Sequence, residues 1–336
     1  MSLFKWFKAK QNTSEDSQID FTELLKSLPK SSVRISYDEN FNGVCPISSS
    51  KIGGKPDLPL NFQWYYYQGK SYEETIASLP PGAREYINRE DAQYNSALPL
   101  SFIAQINLEE AHEYDKDKLL PPTGMLYFFY ELATMTWGDI SSKGGARVYY
   151  YSGDISKLQR TDFPSDLNDE YKLPEMPITF STKLELPDYE EFYEWRDEYA
   201  DENGNYYTKY YDKYEEAINK IGIASEYDTV ENARINKLLG YANLVQSGML
   251  LECEAATCGI ELYSGKGGYS KKLTKEALSQ LKKDCTKWRL LFQLESITTK
   301  DYEMLWGDVG RIYYYINIED LNKQNFDNCW LILQCG

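Results

Sequence analysis

Ser101-Phe-Ile-Ala-Gln-Ile-Asn-Leu108 and Arg289-Leu-Leu-Phe-Gln-Leu-Glu-Ser296 are the two stretches on which the fold turns. Each reads as a strand, in which successive side chains point to opposite faces. Phe102, Ala104, Ile106 and Leu108 share one face of the first, and Leu290, Phe292 and Leu294 share one face of the second. That face is assigned to the core. Gln105 and Gln293 fall on the opposite face. A buried amide must find hydrogen-bond partners, and loop backbone is the usual one. Direct contact with a ligand is the alternative role for both.

Working outward, this pair is one of four matches that recur in the same order. Lys51-Ile-Gly-Gly-Lys-Pro-Asp-Leu58 resembles Lys237-Leu-Leu-Gly-Tyr-Ala-Asn-Leu244. Trp137-Gly138-Asp139 recurs as Trp306-Gly307-Asp308, and Arg147-Val-Tyr-Tyr-Tyr151 as Arg311-Ile-Tyr-Tyr-Tyr315. One short match is chance; four in register predict a unit written twice, its copies packed about a pseudo-twofold axis. Further strands are expected at 33–37, 125–130 and 147–151, bounded by Gly, Pro or Asp signals. Helices are expected at 19–28 and, as two short pieces split at Pro80-Pro81-Gly82, within 71–95. The expected class is mainly β with peripheral helices (α+β).

Residues 185–202 are acidic, with aromatics at Tyr189, Phe192, Trp195 and Tyr199. Tyr207, Tyr211, Tyr214, Ile218 and Ile221 then follow at helical spacing. Residues 188–221 therefore read as a helical hairpin, with a turn at 202–205 and an aromatic stripe that docks on the body. The expected organisation is an N-terminal segment and linker (1–17), a first half (18–182), the hairpin insertion (183–222) and a second half (223–336).

The repeated residues are the candidate contacts. Arg147 with Tyr149, and Arg311 with Tyr313, have the composition of an interface hot spot, or of an outer sheet face covered by the other copy. Trp137 and Trp306 open turns in which Asp139 and Asp308 accept backbone N–H bonds or pair with the nearby arginine. The sharper alternative is two carboxylates facing each other across the axis, for acid–base work or a divalent cation. No catalytic residue is assigned. The single histidine, His112, lies in a polar stretch. Neither G-x-S-x-G, nor a P-loop, nor a dinucleotide fingerprint is present. Lys143-Gly144-Gly145 and Lys266-Gly267-Gly268 do not open a helix after a strand.

The chain of 336 residues carries a net charge of −16 and 30 tyrosines. A negative field of this size argues against sequence-independent nucleic-acid binding and favours a basic protein partner. Cys45, Cys253, Cys258, Cys285, Cys329 and Cys335 show no C-x-x-C spacing, so neither a metal nor another cofactor is expected. Residues 1–10 alternate apolar and lysine residues too briefly for a signal peptide, and no stretch has the length of a bilayer span. The expected setting is the reducing cytoplasm, with free thiols.

Several blocks together resemble the bacterial YwqG-like proteins, a family of unknown function. In the first half they are Lys51-Ile-Gly-Gly-Lys-Pro-Asp-Leu-Pro59, Phe102-Ile-Ala-Gln-Ile-Asn107 and Gly124-Met-Leu-Tyr-Phe-Phe-Tyr130. In the second they are Leu239-Gly240-Tyr241 with Gln246, Leu291-Phe-Gln-Leu294, Met304-Leu-Trp-Gly-Asp-Val-Gly-Arg311 and Trp330-Leu-Ile-Leu-Gln-Cys335. Residues 189–221 do not follow the pattern, and Ala242 stands where a proline is expected. The resemblance implies roll-like antiparallel sheets with an internal duplication and implies no activity. Some relatives are similar to immunity proteins that neutralise toxins. The leading expectation is thus a non-enzymatic binding protein for a basic, toxin-like partner. The alternatives are a ligand-binding protein or enzyme with a site between the halves, built on Asp139, Asp308, Arg147 and Arg311, and a scaffolding protein.

Overall fold

Both glutamine strands carry a β-bulge, and the bulge sets how the sheet faces its core. In the computed structural model of the chain, which describes residues 20–78, 84, 88, 94, 96–196, 207–223, 235–263 and 269–336, β6 (Ser101–Asn107) pairs with β7 (Met125–Tyr130). The register slips between Phe102 and Ala104. Likewise β12 (Trp288–Glu295) pairs with β15 (Arg311–Asn317), and the register slips between Leu290 and Phe292. An extra residue shifts everything before it to the other face. Phe102 and Leu290 therefore leave the face assigned to them by simple alternation. Ile103, Ala104 and Ile106, with Leu291, Phe292 and Leu294, line the inner core. Phe102 packs in an outer cluster with Tyr127 and Phe129, and Leu290 in another with Tyr313 and Tyr315.

The remaining strands are β1 (Lys30–Tyr37), β2 (Lys51–Ile52), β3 (Asp57–Leu58), β4 (Tyr66–Tyr67), β5 (Leu98–Pro99), β8 (Ala146–Tyr151) and β9 (Gln159–Arg160). They continue with β10 (Met176–Glu185), β11 (Asn236–Leu239), β13 (Ile297–Thr298), β14 (Glu303–Met304) and β16 (Trp330–Gln334). Ten of them form one antiparallel sheet in the order β16-β15-β12-β11-β1-β10-β2-β6-β7-β8. The others pair off as β13-β14, β3-β9 and β4-β5. The large sheet curls until its ends nearly meet. Phe128 of β7 lies 4.4 Å, ring to ring, from Phe292 of β12 and 5.1 Å from Tyr314 of β15. The expected mainly β, antiparallel architecture is what the chain adopts.

The strand order separates the sheet from the sequence halves. β1, from the first half, lies beside β11 and belongs to the side that carries β12, β15 and β16. β10 lies beside β2 and belongs to the side that carries β6, β7 and β8. The expected boundary at residue 182 falls inside β10, whose pairing with β1 runs from Lys30↔Glu185 to Tyr37↔Ile178.

The outer faces are covered differently on the two sides. Phe62, Trp64, Tyr65 and Tyr67 lie over β6 and β7. The helices Leu250–Thr257 and Lys275–Asp284 lie over β12, β15 and β16. Aromatic area of this kind, about 150–250 Å² per ring, dominates such clusters. Of the helical hairpin, the helices Tyr189–Tyr193 and Tyr207–Ile221 are described. Tyr214, Ala217 and Ile218 pack with Phe192 against Phe21 and Leu25 of the helix Phe21–Leu25, so the stripe docks on the body. The linker 1–17, the Pro80-Pro81-Gly82 split, the turn at 202–205 and Lys266-Gly267-Gly268 lie outside the described residues.

Candidate functional site

Gln105 and Gln293 are fully buried and hold loops. The Gln105 amide accepts from the Asp57 N–H at 2.8 Å and donates to Ser49 O at 2.8 Å and Asp57 Oδ2 at 2.7 Å. Gln293 does the same with other residues: it accepts from the Asn243 N–H at 2.9 Å and donates to Ile235 O at 2.7 Å and Asn243 Oδ1 at 3.3 Å. Tyr127 donates its hydroxyl to Asp57 O, and Tyr313 donates to Asn243 O at 2.6 Å. The loops that follow β2 and β11 turn through left-handed backbone at matching places, Gly53 and Gly54 (φ 61° and 66°) and Leu239 and Gly240 (φ 60° and 76°). A buried lysine closes each. Lys51 pairs with Glu175 at 3.0 Å and Lys237 with Glu185 at 2.9 Å. Burial lowers the Lys51 ammonium below its ordinary range. These groups are mutually satisfied, which is what a buried polar network requires to be stable.

The pairing of Tyr127 with Gln105 and of Tyr313 with Gln293 overturns one sequence match. Arg311 lies on β15, next to the glutamine strand, whereas Arg147 lies on β8, two strands from its glutamine. The strand in the position of β15 is β7, Met125–Tyr130. The Arg-x-Tyr-Tyr-Tyr text recurs because strands packed on a core with one face and on aromatic cover with the other select similar residues. Nor do the aspartates pair with those arginines. Arg311 forms its ion pair with Glu295 and donates to Asn243 O at 2.8 Å. Asp139 accepts from the Ser141 N–H at 2.7 Å and caps its own 3-10 turn. Asp308 is exposed. Tyr313 is buried beneath the helix Leu250–Thr257; Tyr149, half-buried, stacks on Tyr127 at 5.7 Å and packs at a tilt on Phe62 at 5.1 Å, while Arg147 is exposed.

The two Trp-Gly-Asp turns meet on the same strand, β16, from opposite edges. Trp306 is fully buried, 6.2 Å from the ring of Tyr130, and a Cβ on Gly307 would meet Cys335. Trp137 is half exposed, but its carbonyl accepts the Leu333 N–H at 3.1 Å. Gly138 O accepts the Trp330 indole N–H at 2.7 Å. These bonds tie the β7–β8 connection to the far end of the sheet and form the seam.

Beside the seam is a cavity of about 470 Å³ with walls from both ends of the sheet. One wall is the 136–147 connection with Lys143 and Arg147; the other is built by the helix Leu250–Thr257, the helix Ile318–Asn322, the 3-10 turn Phe326–Asn328 and β16. Arg147 is the one predicted contact residue that lines it. Trp137 and Asp139 belong to the connection without lining the cavity, and Gln105, Tyr149, Gln293, Trp306, Asp308, Arg311 and Tyr313 lie elsewhere. The lining groups not anticipated were Glu254, Asp320, Asp327 and Asn328, although Lys143 stood in a noted glycine loop. The signal for Asp327 and Asn328 was the polar run Asn325-Phe-Asp-Asn328 just before the last strand. Tyr65 is not among the lining residues, but it responds to both walls: burial pushes its hydroxyl up to about 12, the Asp327 carboxylate raises it further and the Arg147 guanidinium opposes this. Among the described residues no group of three or more His, Cys, Asp or Glu is placed to hold a metal ion, and no helix is long and apolar enough to cross a membrane.

A family model described as a domain of unknown function, DUF1963, matches residues 50–335. No curated protein matches the chain.

Proposed function

The chain belongs to the DUF1963 family, a domain of unknown function, and from that premise we propose that it is a binding protein that holds a small polar molecule in the seam cavity. The observation that carries this reading is the cavity itself: about 470 Å³, with charged groups contributed by both ends of one sheet. That volume falls in the range of roughly 300–1,000 Å³ typical of small-molecule sites. A site between the halves was one alternative raised by the repeat pattern; of the residues named for it, Arg147 lines this cavity and Asp139, Asp308 and Arg311 do not. The matched loops, bulges and glutamine clamps support reading the two sides of the sheet as copies of one unit, and the sequence blocks support placing the chain among the YwqG-like proteins.

Native mass spectrometry of the chain incubated with a metabolite extract tests the reading. A bound mass is expected on the parent chain and its loss in Arg147→Ala. An adduct that survives that change and also Asp327→Asn removes the cavity from consideration.

The net charge of −16 favours a second reading, a basic protein partner of the kind a cytoplasmic toxin-neutralising protein would meet. Affinity for a captured partner should then fall steeply with salt. A salt-independent affinity speaks against it.

A further inference from the structure

The charges around the cavity are unevenly used, and this bears on what fits there. Glu254 accepts the Trp288 indole N–H at 2.7 Å. Asp320 accepts the side-chain amides of Asn325 at 2.9 Å and Asn328 at 3.2 Å. Both carboxylates are thus engaged in holding the wall. Asp327, on the same wall, is exposed and makes neither an ion pair nor a side-chain hydrogen bond among the described residues. Lys143 and Arg147, on the facing wall, are also without such a partner among them. The chain has 52 acidic residues against 36 basic ones, so cations that find no carboxylate are against the trend of its composition. Arg147 and Asp327 line the same cavity and yet do not pair. Phe326, beside Asp327, packs on Tyr150 of β8 at 5.3 Å between ring centres, which fixes the turn against the strand that carries Arg147.

We infer that the cavity takes a small zwitterion of amino-acid to dipeptide size, its carboxylate held by Lys143 and Arg147 and its ammonium by Asp327. This rests on the reading of the seam cavity as a binding site and names the ligand's chemical class. Charge-assisted hydrogen bonds at both ends select the class, since each end supplies the counter-charge that the other wall lacks. A molecule with a single charge leaves one wall unanswered. The lining also includes the aromatic and aliphatic side chains of Trp330, Leu331 and Ile140, against which a ligand side chain can pack.

The test is calorimetric titration of the full chain with the free amino acids and a set of Gly-X dipeptides, one at a time. The best binder is then repeated in N-acetylated and C-amidated forms. At least one free zwitterion is expected to bind and to raise the thermal midpoint, with each cap weakening it tenfold or more. Asp327→Asn should weaken the free form and leave the acetylated form unchanged; Arg147→Ala should weaken the free form and leave the amidated one unchanged. Both positions are exposed, and unchanged thermal midpoints without ligand check that the variants are folded. Failure of every free form to bind, or capped forms that bind as well as free ones, overturns the zwitterion. An acetylated form that binds fully and is lost in Arg147→Ala would overturn it too while leaving the cavity a binding site. The metabolite experiment above judges the cavity separately.

Discussion

Glu252 shows what burial does to a single carboxylate here. It sits on the helix Leu250–Thr257, where burial, with Asp139 adding to it, pushes its carboxyl up to about 7 from the ordinary 4.5. Glu194, which accepts the Leu250 and Leu251 N–H groups at 3.1 and 2.9 Å, is pushed by burial up to about 8. An acid whose folded value is raised binds its proton more tightly in the native chain than in the unfolded one, so stability falls as pH rises from the unfolded value to the folded one. For Glu252 that window runs from about 4.5 to about 7, and above it the loss is complete. Glu252→Gln should remove this part of the decline. Urea midpoints at about pH 5 and about pH 8 check it: the parent should lose more between them than the variant. Glu194 keeps a residual slope of the same sign in both. Equal losses in the two proteins would show that Glu252 ionises freely in the fold.

At the scale of the element, the seam depends on one glycine. Gly138 has φ 106°, and a Cβ there would lie 2.6 Å from Leu331 O and 2.9 Å from Ile332 Cα. Gly138→Ala therefore meets both backbone strain and a backbone clash, at an expected cost of about 1–3 kcal/mol. Urea denaturation measures it, and a change near zero would mean that the β7–β8 connection does not bear on β16 as the Trp330 indole bond suggests. The strands themselves were legible in the sequence. Alternation gave β6, β7, β8 and β12, and placed Gln105 and Gln293 against loop backbone, because a buried amide has few other choices. Phe102 and Leu290 were misplaced, since a bulge leaves no mark in the pattern of apolar residues. Arg147 and Arg311 were matched wrongly because a sheet position is a property of pairing, and similar text is selected wherever a strand is packed on both faces. Asp320 and Asp327 went unnoticed because they read as ordinary turn and capping residues; what makes them cavity walls is contact with residues nearly two hundred positions earlier.

For the whole molecule, the sheet order sets β1 and β10 at the centre and β8 and β16 at the two ends. The side that carries β12, β15 and β16 takes its innermost strand, β1, from the opposite end of the sequence, so the second half is not a self-sufficient piece of chain. The last strand, β16, is held by β15 on one edge and by the Trp137–Gly138 backbone on the other. A chain ended before Trp330 is expected to lose cooperative thermal unfolding, and a synthetic peptide of residues 330–336 supplied in trans should restore it. Cooperative melting of the shortened chain would mean that the curl closes without its final strand. β16 follows every other strand in the sequence, and contacts across long stretches of chain form slowly. During synthesis, then, the Arg-Ile-Tyr-Tyr-Tyr edge emerges from the ribosome before the strand that will shield it. For that interval the nascent protein carries an unpaired, aromatic-rich border of the sort that chaperones screen and that neighbouring polypeptides stick to.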